Sequence, residues 1–170
     1  MHSKNKQAAL SYAQKGWKVF PVTPNQKRPL TALAPQGYKN ATSDPDTIEQ
    51  WWTEHPTANI GLNLEASSLA CIDVDSYKED CVFDTYMQDR DLPETLQQRS
   101  ARGGTHYIFR SSLDAEYPGT LGKGIDLKYR GYILLDPSSF IDPSTQEQGI
   151  THGLMMSHQL TPQIGCFPPN

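Results

Sequence analysis

A chain of 170 residues with 15 Lys and Arg against 19 Asp and Glu, a formal net charge of −4, is long enough to bury a core as one domain. It is too acidic for a general nucleic-acid coat, whose binding is driven by neutralising phosphate. The three cysteines, Cys71, Cys81 and Cys166, form no C-x-x-C pair and have no histidine at zinc spacing, which excludes a disulfide framework and a structural zinc site and points to a reducing cytosol.

No apolar run reaches the length of a membrane span, and the polar start Met1 to Gln7 has no signal-type core. Lys6 to Lys15 reads as a helix stopped by Gly16, whose missing side chain suits a left-handed cap, and Trp17 to Val22 as the first strand. A loop carrying lysines and prolines follows. Asp44-Pro45-Asp46 then offers a helix cap with proline in the first turn. Ile48, Trp51 and Trp52 recur at i, i+3 and i+4, which places the tryptophans in the core rather than on a base-stacking surface. Strands are expected near Asn59 to Asn63 and Leu69 to Val74. A helix is expected around Tyr77 to Arg90, in a segment whose acidic residues, Glu79, Asp80, Asp84, Asp89, Asp91 and Glu94, make a solvated face. Leu96 to Ser100 and His106 to Arg110 form a hairpin around Gly103-Gly104, and Ile125 to Lys128 is expected to pair with Tyr132 to Leu135 through Tyr129-Arg130-Gly131. The proline-bearing tail 161–170 reads as irregular or as a linker. This alternating order places the chain in the α/β (α+β) class.

Three short motifs carry chemistry. The apolar run Leu69-Ala70-Cys71-Ile72 ends in Asp73 and Asp75, which in a strand share one face about 7 Å apart. Two carboxylates so placed suit a hard divalent cation that keeps waters and substrate phosphates in its other positions, although a strand running out into solvent can end the same way. Next comes Arg102-Gly103-Gly104-Thr105-His106, ahead of Tyr107-Ile108-Phe109. The glycines permit a tight turn and close approach to a ligand, and the arginine and histidine can donate to phosphate oxygens; a double glycine also serves as a plain hairpin turn. Third, Gly124-Ile125-Asp126-Leu127-Lys128 sets a carboxylate inside an alternating strand, as a further ligand or as an edge charge. The stretch around these motifs is locally basic, with Arg99, Arg102, Arg110, Lys123, Lys128 and Arg130 against Asp114, Glu116 and Asp126.

In this order the motifs resemble the amino-terminal domain of bifunctional DNA primase-polymerases, members of the archaeo-eukaryotic primase superfamily found on plasmids, in phages and among prophage-borne replication genes. The likeness also takes in Ala8 to Val22, Lys27-Arg28-Pro29-Leu30, Gly37 to Thr42, Trp51-Trp52 with Pro56, and Asn59-Ile60-Gly61. It departs where the family commonly has a Pro-Pro-Ser turn and this chain has Asp136-Pro137-Ser138, with Asp136 read as a turn residue rather than a metal neighbour. From Asp142 onward the family pattern becomes hard to follow in the sequence. The resemblance implies one catalytic domain over 1–160, in lobes of roughly 1–68 and 69–160, built on an open sheet like that of an RNA-recognition motif (RRM-like), with helices on one face and the site on the other. It implies template-directed nucleotidyl transfer in which Asp73, Asp75 and Asp126 hold two Mg²⁺ or Mn²⁺ ions. His106, Arg102, Gly103, Gly104 and Thr105 would seat the triphosphate, with Lys128 as a charge partner. The implied partners are nucleoside triphosphates, a DNA template and primer, and a replicative helicase, fused or separate. The implied setting is the cytoplasm of a bacterial or phage-infected cell, with no membrane.

Other classes share part of this pattern. A haloacid-dehalogenase-type phosphatase also uses Asp-x-Asp at a strand end, but Thr or Val normally follows at the second position after the pair, where this chain has Tyr77. A metal-dependent nuclease needs no triphosphate-seating turn. The non-enzymatic alternative is a nucleotide- or DNA-binding replication module that keeps the fold. Removing one charge from the aspartate pair is expected to leave the fold intact and to raise stability when no metal is bound.

Overall fold

Ser3 begins the first element. In a computed structural model that describes residues 3–112, 114 and 116–153, its Oγ accepts from the Lys6 N–H at 3.1 Å, and α1 runs Lys4–Gln14. Gly16 lies at φ +81° with its N–H on the Ala13 carbonyl, the left-handed turn that closes a helix. β1 (Val19–Val22) follows, then a short 3₁₀ turn at Gly37–Asn40 and α2 (Pro45–Glu54). Asp44 caps α2 through Oδ2, which accepts from the Thr47 N–H at 2.9 Å, and Ile48, Trp51 and Trp52 turn inward. Trp52 is fully buried, its Nε1–H donating to the Ala58 carbonyl at 2.9 Å, so these tryptophans are core residues.

β2 (Asn59–Asn63) pairs antiparallel with β1 on one side and with β8 (Tyr132–Leu135) on the other. α1 and α2 pack on each other and on this three-stranded sheet. The second sheet is open and antiparallel: β3 (Leu69–Val74), β4 (Leu96–Arg99), β5 (Thr105–Arg110), β6 (Thr120–Gly122) and β7 (Ile125–Lys128) lie in the order β4-β5-β3-β7-β6. Central β3 is buried at every position, which is why its sequence is a continuous apolar run rather than an alternating one. On one face Leu69, Cys71, Leu96 and Ile108 join β1, β2, β8 and the two helices in a single core. On the other, Ala70, Ile72, Val74, Phe109, Ile125 and Leu127 form a second cluster under Phe83, Tyr86 and Leu92. A last hairpin, β9 (Ser139–Ile141) with β10 (Gln148–Ile150), leans so closely on the Ala101 carbonyl that Gly149 has no room for a Cβ.

The mixed α+β architecture and the β4–β5 hairpin match expectation. Two local readings do not. The helix expected over 77–90 shrinks to α3, Phe83–Met87, because the preceding backbone is tied to the β6–β7 turn: Asp75 N–H donates to the Gly124 carbonyl at 2.8 Å and Val82 N–H to the Lys123 carbonyl at 3.0 Å. Nor do β7 and β8 form a hairpin. β7 pairs with β3 and β6, while residues 129–131 carry the chain across to the first sheet, where Gly131 at φ +75° offers its carbonyl to the Leu64 N–H. Among the described residues no helix is long and apolar enough to cross a membrane. The tail 161–170 lies outside the described residues.

Candidate functional site

Asp73, next to last in β3, has His106 of β5 as its register partner on one side and Asp126 of β7 on the other. Directly paired residues share a sheet face. Because Val74, Tyr107, Ile125 and Leu127 belong to the outer cluster, strand alternation turns Asp73, His106, Asp126 and Lys128 to the face that looks toward the first sheet. Cys71 and Ile108 continue that face into the core. The polar row therefore sits where the apolar face runs out.

Asp73 and His106 are both buried. The Lys128 Nζ donates to Asp73 Oδ2 at 2.6 Å, and His106 Nε2 lies 3.4 Å from Oδ1. Burial alone would raise the Asp73 carboxyl, but the hydrogen bond from His106 with the charge that ring carries when protonated, and then the Lys128 ammonium, hold it well below the ordinary carboxylate range. Lys128 shows the reciprocal effect: burial works to lower its pKa, and Asp73 outweighs it and raises it. One step past the strand, Asp75 Oδ2 accepts from Lys78 Nζ at 2.5 Å. Each carboxylate thus already faces an ammonium. Removing one charge orphans a lysine instead of relieving repulsion, which reverses the expectation that neutralising the pair raises stability.

Asp73 and Asp75 line one cavity, and His106, Arg102 and Lys128 stand in its wall. Asp126 is exposed and lies beside that cavity rather than in its lining. Among the described residues no three His, Cys, Asp or Glu side chains are gathered into a metal cage. The donors at hand still fit a hard divalent cation chemically, since two carboxylates suffice when water and phosphate oxygens complete the shell. For that, the lysines must give up the oxygens they hold.

The glycine turn contributes shape rather than direct contacts. Gly103 lies at φ +92°, and a Cβ on Gly104 would stand 2.5 Å from the Val74 carbonyl oxygen, so only glycine lets the turn close against the end of β3. Ser100 Oγ accepts from the Gly104 N–H at 3.0 Å. Gly103, Gly104 and Thr105 are absent from the lining of the cavity. Thr105 pairs with Val74 and so shares the opposite face of the sheet. Arg102 reaches the cavity but is already engaged, with Nη2 2.9 Å from Asp142 Oδ2 and its guanidinium 5.3 Å from the Tyr77 ring centre. Asp136 takes no part in the lining; its N–H donates to Gln98 Oε1 and its carbonyl accepts from the Tyr12 hydroxyl.

Sequence reasoning missed Lys27. It stands in the cavity wall, delivered from the loop after β1, and its carbonyl accepts from the Tyr132 hydroxyl at 2.6 Å. Asn59, buried on β2, binds the neighbouring Gln26 carbonyl and both backbone groups of Ser139, so one side chain fixes this loop and the start of β9. Burial, then the charges of Lys128 and Arg102, push the Lys27 pKa down. Cations are crowded here beyond what the two carboxylates neutralise. No periodicity marks Lys27; only its place in the Lys27-Arg28-Pro29-Leu30 turn hinted at it.

Compared with known families, residues 9–153 match the model described as bifunctional DNA primase/polymerase, N-terminal. The match runs through β10, beyond Asp142 where the motifs become faint. No curated protein matches the chain.

Proposed function

The chain belongs to the bifunctional DNA primase/polymerase N-terminal family, and from that membership we propose template-directed nucleotidyl transfer at this cavity. The 3′ hydroxyl of a growing strand attacks the α-phosphate of a nucleoside triphosphate and gives up its proton to solvent; the new P–O bond forms as the bond from that phosphorus to the bridging oxygen breaks, and pyrophosphate leaves. The observation that supports this reading is a single cavity in which Asp73 and Asp75 meet Lys27, Arg102, His106 and Lys128. A hydrolytic nuclease has to manage one phosphate, whereas a triphosphate substrate brings several charges to be matched.

Asp73 and Asp75, with Asp126 beside them, are the residues to hold Mg²⁺ or Mn²⁺, ions that when bound offset charge on the reacting phosphates. The remaining roles fall to the chain itself. His106 donates to a phosphate oxygen, Lys27 and Lys128 neutralise the triphosphate, and Arg102 caps it from the glycine turn. Template and primer are held by cations of the locally basic stretch that flanks the cavity, Arg102 and Lys128 among them. A helicase, fused or separate, and a setting in phage or plasmid replication in the cytoplasm complete the proposal. The position of Asp126 outside the cavity lining favours a second reading, a binding module with weak catalysis.

Primer extension separates them. Purified domain, a primed template, labelled deoxynucleotide and Mg²⁺ or Mn²⁺ should give extended product and pyrophosphate, and Asp75→Asn should give neither. Absence of pyrophosphate from the wild-type domain under every combination of primer-template, nucleotide and metal would overturn the polymerase reading in favour of the binding module.

A further inference from the structure

Gln98 is buried on the inner face of β4, and three of its polar contacts are made at once. Its Oε1 accepts from the Asp136 N–H at 3.1 Å, and its Nε2 donates to the Leu134 carbonyl at 2.8 Å. A backbone N–H can only donate and a carbonyl can only accept, so these two partners fix which end of the amide is which. The amide nitrogen then has one hydrogen left, and 2.9 Å away lies His106 Nδ1. A ring nitrogen that faces an N–H must be the acceptor. The proton of the ring is therefore on Nε2, the atom turned to Asp73 and the cavity.

We propose that Gln98 is the positioning residue of the site: it holds His106 in the Nε2–H tautomer and aims that N–H at a phosphate oxygen of the bound nucleotide. This rests on the nucleotidyl-transfer reading for the identity of the ligand, not for the tautomer. The consequence is a division of labour. With its Nε2 lone pair committed to a proton, His106 presents a donor to anions and no ligand to a metal, so the carboxylates alone bind the cation. Gln98 reads its orientation from β8, which belongs to the first sheet, while His106 stands on the second. The tautomer is thus set by how the two sheets are docked.

The test is a long-range ¹H–¹⁵N correlation spectrum of histidine-labelled, nucleotide-free protein, in buffer above the ordinary histidine range. The expected wild-type pattern at His106 is protonated Nε2 and unprotonated Nδ1. In Gln98→Glu, one carboxylate oxygen still accepts from Asp136 while the other faces Nδ1 as an acceptor, so the proton should move to Nδ1. Affinity for a non-hydrolysable nucleoside triphosphate should then fall roughly tenfold or more, the loss of one hydrogen bond to a charged group, with Mn²⁺ affinity in the absence of nucleotide unchanged. Gln98→Leu, which removes all three contacts without introducing charge, covers the case in which the glutamate does not fold; it should lose the single-tautomer signature. An Nδ1–H pattern in the wild type, or Nε2–H with wild-type nucleotide affinity in Gln98→Leu, would overturn the proposal. The spectrum needs no turnover, so its failure is distinct from failure to extend a primer.

Discussion

Replacing Lys128 by methionine tests whether the ammonium at Asp73 competes with the metal. The pair is 2.6 Å apart, and the lysine side chain is 41% exposed while that of Asp73 is 11% exposed. Two unit charges at that distance attract by roughly 1.6 kcal/mol at the dielectric of water. The exposure of the lysine argues for this screened end of the scale over the roughly twentyfold larger value of a dry interior. A cation entering the Asp73 oxygens must displace that attraction, so Lys128→Met should raise Mn²⁺ affinity of the nucleotide-free protein by roughly tenfold. It should at the same time weaken nucleotide binding, because the displaced ammonium is assigned to phosphate. The assay is calorimetric titration of Mn²⁺ into wild type, Lys128→Met and a control of equal charge change, Lys123→Met, which lies in the β6–β7 turn. The melting temperature of Lys128→Met should fall without metal, since a buried carboxylate has lost the ammonium bonded to its Oδ2, and Mn²⁺ should restore it. Unchanged or weaker Mn²⁺ binding in Lys128→Met, or an equal gain in the control, would refute the competition.

Asp126→Ala should still bind nucleotide with its metal, yet fail to extend a primer; extension at the wild-type rate would remove Asp126 from the site. His106→Ala should weaken nucleotide binding roughly tenfold or more and leave Mn²⁺ binding without nucleotide nearly intact, which separate titrations of the two ligands check. Asp73→Asn should be less stable than wild type at neutral pH. A carboxyl held below its unfolded value contributes stability that is fully present above about pH 3.9 and lost as the pH falls below it, so the gap in melting temperature should narrow in that acid range. Gly104→Ala should cost on the order of 1–3 kcal/mol in denaturant unfolding, because its Cβ would meet the Val74 carbonyl oxygen at 2.5 Å.

Much of the fold was legible because local signals and burial agree. Asp44, Pro45 and the i, i+3, i+4 apolar set mark α2 by cap, first turn and buried face together, and the double glycine marks the β4–β5 hairpin. The missing part of the expected helix over 77–90 shows the limit of such signals. Its charged residues suit a helix face, but the backbone hydrogen bonds of Asp75 and Val82 go to the β6–β7 turn, a partner more than 40 residues distant in the chain. At the candidate site, Asp73, Asp75 and His106 could be singled out from the sequence, and the fold brings them to one cavity. Lys27 and Gln98 were not, because a lysine in a loop and a glutamine in a strand acquire meaning only from what lies across the gap between two sheets.

The β7–β8 pairing shows why that gap matters. Had the two strands formed the hairpin suggested by Tyr129-Arg130-Gly131, β8 would occupy the edge now held by β6, four strands from β4 in the order β4-β5-β3-β7-β6. At the usual spacing of neighbouring strands that is roughly 19 Å. The Leu134 carbonyl and Asp136 N–H could not then meet Gln98, Tyr132 could not hold the Lys27 loop, and the lining contributed by Ile133 and Leu134 would be lost. Because β8 crosses to β2 instead, the end of the second sheet where Asp73 stands is closed by a strand of the first. Every cation of the cavity but Lys27 belongs to one sheet, and the groups that orient Gln98 and Lys27 belong to the other or to its loops. A substitution that loosens the docking of β8 on β2, such as Leu135→Ala within the shared core, is therefore expected to reach the chemistry through Gln98 and Tyr132, lowering nucleotide affinity before it unfolds the domain.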